Sequence, residues 1–200
     1  MKSNQQKNIL HFWFGEISDN GQVTEVYRQR WWYKDPVFDQ KIAAEFGDDL
    51  KRAIAGEYEA WQEDARSCLA LIILLDQFSR HIYRDSAMAY HQDEKALALA
   101  ELAIDKGYPR QLCPIETSFL YMPLMHSEDK NRQQHCVTLF TELHTQVAED
   151  QQSLFAASLD FAEQHKAVID RFGRYPHRNA VLGRHSNSEE MAFLKVQGAF

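Results

Sequence analysis

Three charged residues, Asp76, Arg80 and Arg84, recur at intervals of four. On a helix this spacing puts them on one face, shared with Ile72 and Ile73. A charged row that continues an apolar face needs partners, because an isolated buried charge is costly. The row reads either as an acid and base lining a pocket or as a buried Asp76–Arg80 ion pair. Further along, His126 and Glu128 form a His-x-Glu pair just after Pro123. Such a pair can supply an acid and a base, with His177 as a second imidazole and Asp76 as a second carboxylate. Neither an HExxH motif nor a third spaced ligand accompanies it, so no metal site is assigned. A metal-assisted version would draw on His126, Glu128 and either His165 or His177. Glu128 reads equally well as a favourable charge at a helix N-terminus. His165 falls on an apolar stripe and is expected to be a hydrogen-bonded core histidine.

Residues 171–185, RFGRYPHRNAVLGRH, are the strongest local anomaly. They hold Arg171, Arg174, Arg178 and Arg184, four of the twelve arginines, together with His177 and His185. No acid occurs between Asp170 and Glu189. An irregular arginine-rich segment suits bidentate recognition of carboxylate or phosphate. The same arginines could instead lock a long loop onto acidic helices of their own chain. The ligand-binding candidates are therefore Arg80, Arg84, Arg174, Arg178, Asn179 and Arg184.

Helices must position these groups. Residues 5–15 read as a short helix ending at Gly15, and residues 23–34 carry Val23, Val26, Tyr27, Arg30 and Trp31 at helical spacing. Asp35-Pro36 reads as an N-cap followed by proline at the first helical position, opening a helix with Phe38, Ile42, Phe46 and Leu50 inward. Residues 66–82 are apolar all round in their first half, the mark of a central helix. Residues 92–106, 115–125, a segment capped by Ser127-Glu128-Asp129, and residues 152–171 continue the pattern, with Pro123 expected to kink or end its helix. Gly173 can end the helix before it, and Tyr175-Pro176 should be extended. Ser186 and Glu189 fit a capping box for the last helix. No strand alternation occurs, so the expected fold is all-α, with about eight or nine helices in stacked antiparallel hairpins.

Composition bounds the rest. Two hundred residues with 44% apolar and 12% aromatic content suffice for a sizeable core, and one domain spanning 1–200 is the economical reading. Lysine and arginine number 22 against 29 acids, a net charge of −7. That balance argues against nucleic acid or an anionic membrane as a general partner. Cys68, Cys113 and Cys136 form no CxxC pair and read as buried, reduced thiols. MKSNQQKNIL has no apolar h-region, and the longest apolar run, Cys68 to Leu75, is too short to span a bilayer, so a cytoplasmic protein is expected. No P-loop, dinucleotide fingerprint or serine elbow occurs, and no cofactor is expected.

The segments ILHFWFG, CLALIILLDQFSRHIYR, YMPLMHSED, RFGRYPHRN…LGR and SEEMAFL, in this order along almost the whole chain, resemble a bacterial family catalogued as domain of unknown function 924. The resemblance implies an all-helical fold similar to tetratricopeptide-repeat proteins, here a degenerate solenoid, and implies no reaction. Its motifs fall on Asp76, Gln77, Arg80, Arg84, His126, Glu128, Arg174, His177, Arg178, Asn179 and Arg184. The family pattern has Asn where this chain has His81, so the resemblance assigns His81 no catalytic role. The first functional expectation is a concave pocket binding an anionic small molecule or an acidic peptide segment. The alternatives are acid–base or metal-assisted hydrolysis through His126, Glu128 and His177, and a pure interaction scaffold.

Overall fold

The computed structural model describes residues 4–19 and 21–197. The first three residues of the amino-terminal stretch read above for a leader lie outside them. Among the described residues there are ten α-helical segments and no strand. They are α1 (Gln5–Phe14), α2 (Glu25–Trp32), α3 (Pro36–Ile54), α4 (Ala65–Ile72), α5 (Ser79–Ile82), α6 (Asp93–Asp105), α7 (Pro114–Met125), α8 (Lys130–Gln146), α9 (Gln152–Phe172) and α10 (Ser188–Gln197). A π-helical turn, Ile73–Phe78, joins α4 to α5, so residues 65–82 form one rod and the rods among the described residues number nine. Among the described residues no helix is long and apolar enough to cross a membrane.

The chain divides into two compact units. Among the described residues, the first comprises those up to 84 and 88–123; the second comprises 85–87 and those from 124 onward. In the first unit the α4–α5 rod is central. Ile72, Ile73, Leu74, Leu75 and Phe78 are fully buried, and α1, α3 and α6 pack against the rod. The apolar run from Cys68 to Leu75 is the reason: a helix segment apolar all round has to be enclosed. Aromatic rings fill the space around α1. Trp13 stands edge-on to Phe78 and Phe119, and the Trp31 indole donates to the Trp13 carbonyl at 3.0 Å. Trp13, Trp31 and Trp61 are core residues, whereas Trp32 is more than half exposed.

Local chemistry sets the helix ends. Gly15 closes α1 at φ 67°, and a Cβ there would meet the Tyr27 ring at 2.5 Å, so only glycine fits both the backbone and the space. Asp35 caps α3, its carboxylate accepting from the N–H groups of Val37 and Phe38, while Phe38, Ile42, Phe46 and Leu50 face inward. In the second unit α8 and α9, joined by residues 147–151, make the most extensive helix–helix contact among the described residues. Gly173 closes α9 in the left-handed conformation and Tyr175 is extended, as expected.

Three expectations are corrected. The last helix is capped by Asn187 and Glu190, one residue later than the Ser186/Glu189 pair. Each of these residues accepts from the other's backbone N–H, whereas the Ser186 hydroxyl accepts from Asn179. Cys113 is only partly buried, unlike Cys68 and Cys136; all three thiols are free. The rod stops at Ile82, so Arg84 lies beyond the helix and does not share a face with Asp76 and Arg80.

Replacing Asp35 by Ala removes the acceptor for two orphan N–H groups of α3. The expected loss is about 1 kcal/mol of unfolding free energy, measured as a shift in the urea midpoint at constant m-value.

Candidate functional site

The sequence candidates fall into two sets, one in each unit. In the first unit the π turn carries Asp76 and Gln77 into the core, where Asp76 is wholly buried. A π turn interrupts the α-helical hydrogen-bond register and often marks a functional position. Asp76 is answered by Arg80, whose guanidinium lies 3.2 Å from its carboxylate and also donates to its carbonyl at 2.9 Å. Arg80 then forks onto Asp93 of α6 at 2.9 and 3.0 Å, and Gln77 donates to the other oxygen of Asp76. Burial works against the Arg80 charge, but Asp76 and Asp93 outweigh it and hold the guanidinium firmly protonated.

Arg84 forks instead onto Asp39 of α3, at 2.6 and 2.8 Å. Asp39 also meets the Nδ1 of His81 at 2.7 Å. Sequence reading missed Asp39, because its partners lie 42 and 45 residues away and no local spacing links them. Burial lowers the His81 pKa against the pull of Asp39, so the imidazole is neutral. Its Nδ1–H then donates to Asp39, and the 3.1 Å approach of Arg84 to the same nitrogen is a contact, not a second hydrogen bond. Burial also opposes the Asp39 charge, but hydrogen bonds from Arg84 and His81 prevail and its carboxyl sits below the usual value. Trp13 and Phe38 stand edge-on to the His81 ring.

In the second unit the organising group is Glu128, in the turn between α7 and α8. It lies before the N-cap of α8, and the cap itself is Asp129. The Glu128 carboxylate accepts from the Tyr175 N–H at 2.8 Å and from both arms of Arg184 at 2.6 and 2.9 Å. Burial raises its carboxyl, but Arg184 and the Tyr175 N–H outweigh that and keep it ionised. The role of Glu128 is thus to clamp the arginine-rich loop rather than to favour a helix start. Beside it the wholly buried Tyr175 sends its hydroxyl to the Met125 carbonyl at 2.5 Å. The Gln133 amide shares its two protons among the Met125 and Ser127 carbonyls and that hydroxyl. α7 ends at Met125, and these donors satisfy the Met125 carbonyl left open there and the Ser127 carbonyl in the turn that follows.

Two further arginines of the loop are held by acids of the same unit. Arg174 forks onto Glu190 at 2.7 and 3.0 Å, and Arg171 meets Glu189. Hydrogen bonding from Arg174 draws the Glu190 carboxyl down to about 2. Asn179 is buried and donates to Ser186.

Arg178 is placed differently. It is buried on the 3-10 turn Pro176–Arg178, with its guanidinium over the Tyr175 ring, 4.5 Å from the centroid. The His177 ring lies 5.5 Å from that of Tyr175, and the buried His165 ring 5.6 Å. His165 donates from Nδ1 to the Phe161 carbonyl one turn earlier, as a core histidine should. Burial, helped by smaller electrostatic contributions from His126, Arg178 and His177, pushes its pKa down to about 3. Arg178, His177 and His165 therefore gather around Tyr175. Among the described residues no three His, Cys, Asp or Glu groups are placed to hold a metal ion.

Fold and geometry together define an all-helical protein whose polar motif residues form two ion-paired clusters. The chain belongs to the family described as bacterial protein of unknown function, DUF924, whose model matches residues 9–198. It is similar to a solved structure, the protein of unknown function ATU0120 from Agrobacterium tumefaciens. The two are 32% identical and superpose with a TM-score of 0.82 over 98% of this chain and 99% of that one. No curated protein matches the sequence.

Two predictions follow from this geometry. Replacing Glu128 by Gln leaves Arg184 without its counter-charge and should cost about 2 kcal/mol in urea unfolding. Acid should destabilise the fold in two stages. Between pH 6.5 and about 3 the unfolded chain binds a proton at His165 that the folded chain excludes, so stability is full above pH 6.5 and falls as pH drops. His81 acts in the same sense. Below pH 4.5 Glu190 and Glu128 add to the fall, because their carboxyls are held down only in the folded state. Urea midpoints from pH 8 to pH 4 check this, and His165→Gln should flatten the slope between pH 6.5 and 4.5. An unchanged slope would refute the assignment to His165.

Proposed function

We propose that the second unit binds a small anion, a phosphate or carboxylate group, beside Tyr175. The observation that carries this reading is the placement of Arg178 and His177 against the Tyr175 ring, with the His165 ring beside it. A fixed guanidinium with adjacent imidazoles is a suitable donor set for an oxyanion. Arg174 and Arg184 serve as scaffold, since Glu190 and Glu128 already occupy their forks. Arg80 and Arg84 in the first unit are likewise closed on Asp93 and Asp39. Acid–base catalysis through His126, Glu128 and His177 is the weaker alternative, because Glu128 is committed to Tyr175 and Arg184.

The hairpin of α8 and α9 supports a stacked, tetratricopeptide-like arrangement of helices. The acidic balance and the three free thiols support a reducing, cytoplasmic setting.

A thermal-shift series with phosphate, sulfate and citrate at constant ionic strength tests the anion site. Ligand at a hundred times its Kd should stabilise the fold by about 2.7 kcal/mol. Arg178→Ala should abolish the shift, and His177→Gln should reduce it, keeping the test valid if Arg178→Ala folds poorly. Stabilisation equal to wild type in both variants would overturn the proposal.

A further inference from the structure

The first unit holds a cavity that none of the motif residues lines. It measures about 410 Å³ and opens between the end of α3, the 3-10 turn Glu59–Glu63, α4 and α6. Leu71, Leu99 and Leu102 supply apolar walls, and Lys95, Glu59 and Gln62 supply the polar groups. The volume lies at the small end of ligand pockets, which run from roughly 300 to 1,000 Å³, and suits a molecule of amino-acid size.

The polar groups are not equivalent. Lys95 is pinned, its ammonium donating to the carbonyls of Ala53 and Ile54 at 2.8 and 3.2 Å. Those are the last carbonyls of α3, which a cation stabilises at a helix C-terminus. An ammonium has three protons, so one is left for a ligand. Glu59 and Gln62 are different: among the described residues neither side chain has a hydrogen-bond or ionic partner. The Glu59 carboxylate lies against Gly56, where a Cβ would come within 3.0 Å of its oxygen. Gly56 sits at φ 84°, so glycine serves both the turn and the room for the carboxylate. One fixed cation, one exposed anion and one amide without a side-chain partner thus border an apolar surface.

We propose that this cavity binds a free apolar amino acid. The α-carboxylate would meet the Lys95 ammonium, the α-ammonium would meet Glu59, with Gln62 as an additional hydrogen-bond partner, and the side chain would cover the three leucines. Complementary charges orient the ligand, and apolar burial supplies the attraction. This proposal is independent of the anion site, which lies in the other unit.

Isothermal titration of the whole protein with leucine and phenylalanine is the test. Glycine, N-acetyl-leucine and leucinamide are the controls, each lacking one of the three features. Leucine or phenylalanine should bind, and each control should bind at least several-fold more weakly. Glu59→Gln should weaken leucine binding about tenfold, the equivalent of one charge-assisted hydrogen bond. Ala98→Trp, at an exposed position lining the cavity, should block binding while leaving the fold intact. Arg178→Ala should leave it unchanged. No binding of either amino acid, or binding unaffected by both Glu59→Gln and Ala98→Trp, would overturn the proposal.

Discussion

Burying a charge in a helical core demands a counter-charge held in place, and this chain meets the demand repeatedly. Asp76 is wholly enclosed and survives there because Arg80 reaches it from one turn later and is itself steadied by Asp93. Asp39 holds Arg84 and His81. Glu128 holds Arg184 and the Tyr175 backbone, and Glu190 holds Arg174. Removing the arginine from Asp76 or Glu190 strands a carboxylate that water cannot easily reach, which is why loss of one partner costs more than the pair contributes.

The pairing sorts the arginines by role. Those closed on carboxylates are structural ties, and they account for the conversion of an arginine-rich segment into an ordered loop. Arg178 lies with its guanidinium over the Tyr175 ring, a cation–π placement. The Tyr175 ring beneath it is anchored through its hydroxyl to the last carbonyl of α7, so the position of Arg178 follows from where that helix ends. A basic cluster is thereby built on an anchored aromatic side chain.

Much of the helical outline was legible in the residues. Asp35-Pro36, Gly15 and Gly173 act locally, through caps and permitted backbone angles, and each ends or starts a helix where its chemistry says it should. The apolar girth of residues 66–82 announced a central rod. What escaped reading was the register within and beyond that rod. The π turn and the stop at Ile82 separate Arg84 from the row that a uniform helix would give it. The capping pair of α10 was displaced by one residue because Ser186 and Asn187 are both competent caps, and the choice between them lies with Asn179 and Arg174.

The candidate sites divide along the same line. That this chain is all-helical, acidic, and carries one confined cationic segment at residues 171–185 is determined by its sequence, because propensity, periodicity and charge are local or additive quantities. Which arginine meets which acid was decided only by the tertiary structure. Arg184 finds Glu128 across 56 residues and Arg84 finds Asp39 across 45. A Coulombic contact depends on separation in space, and no spacing along the chain encodes it.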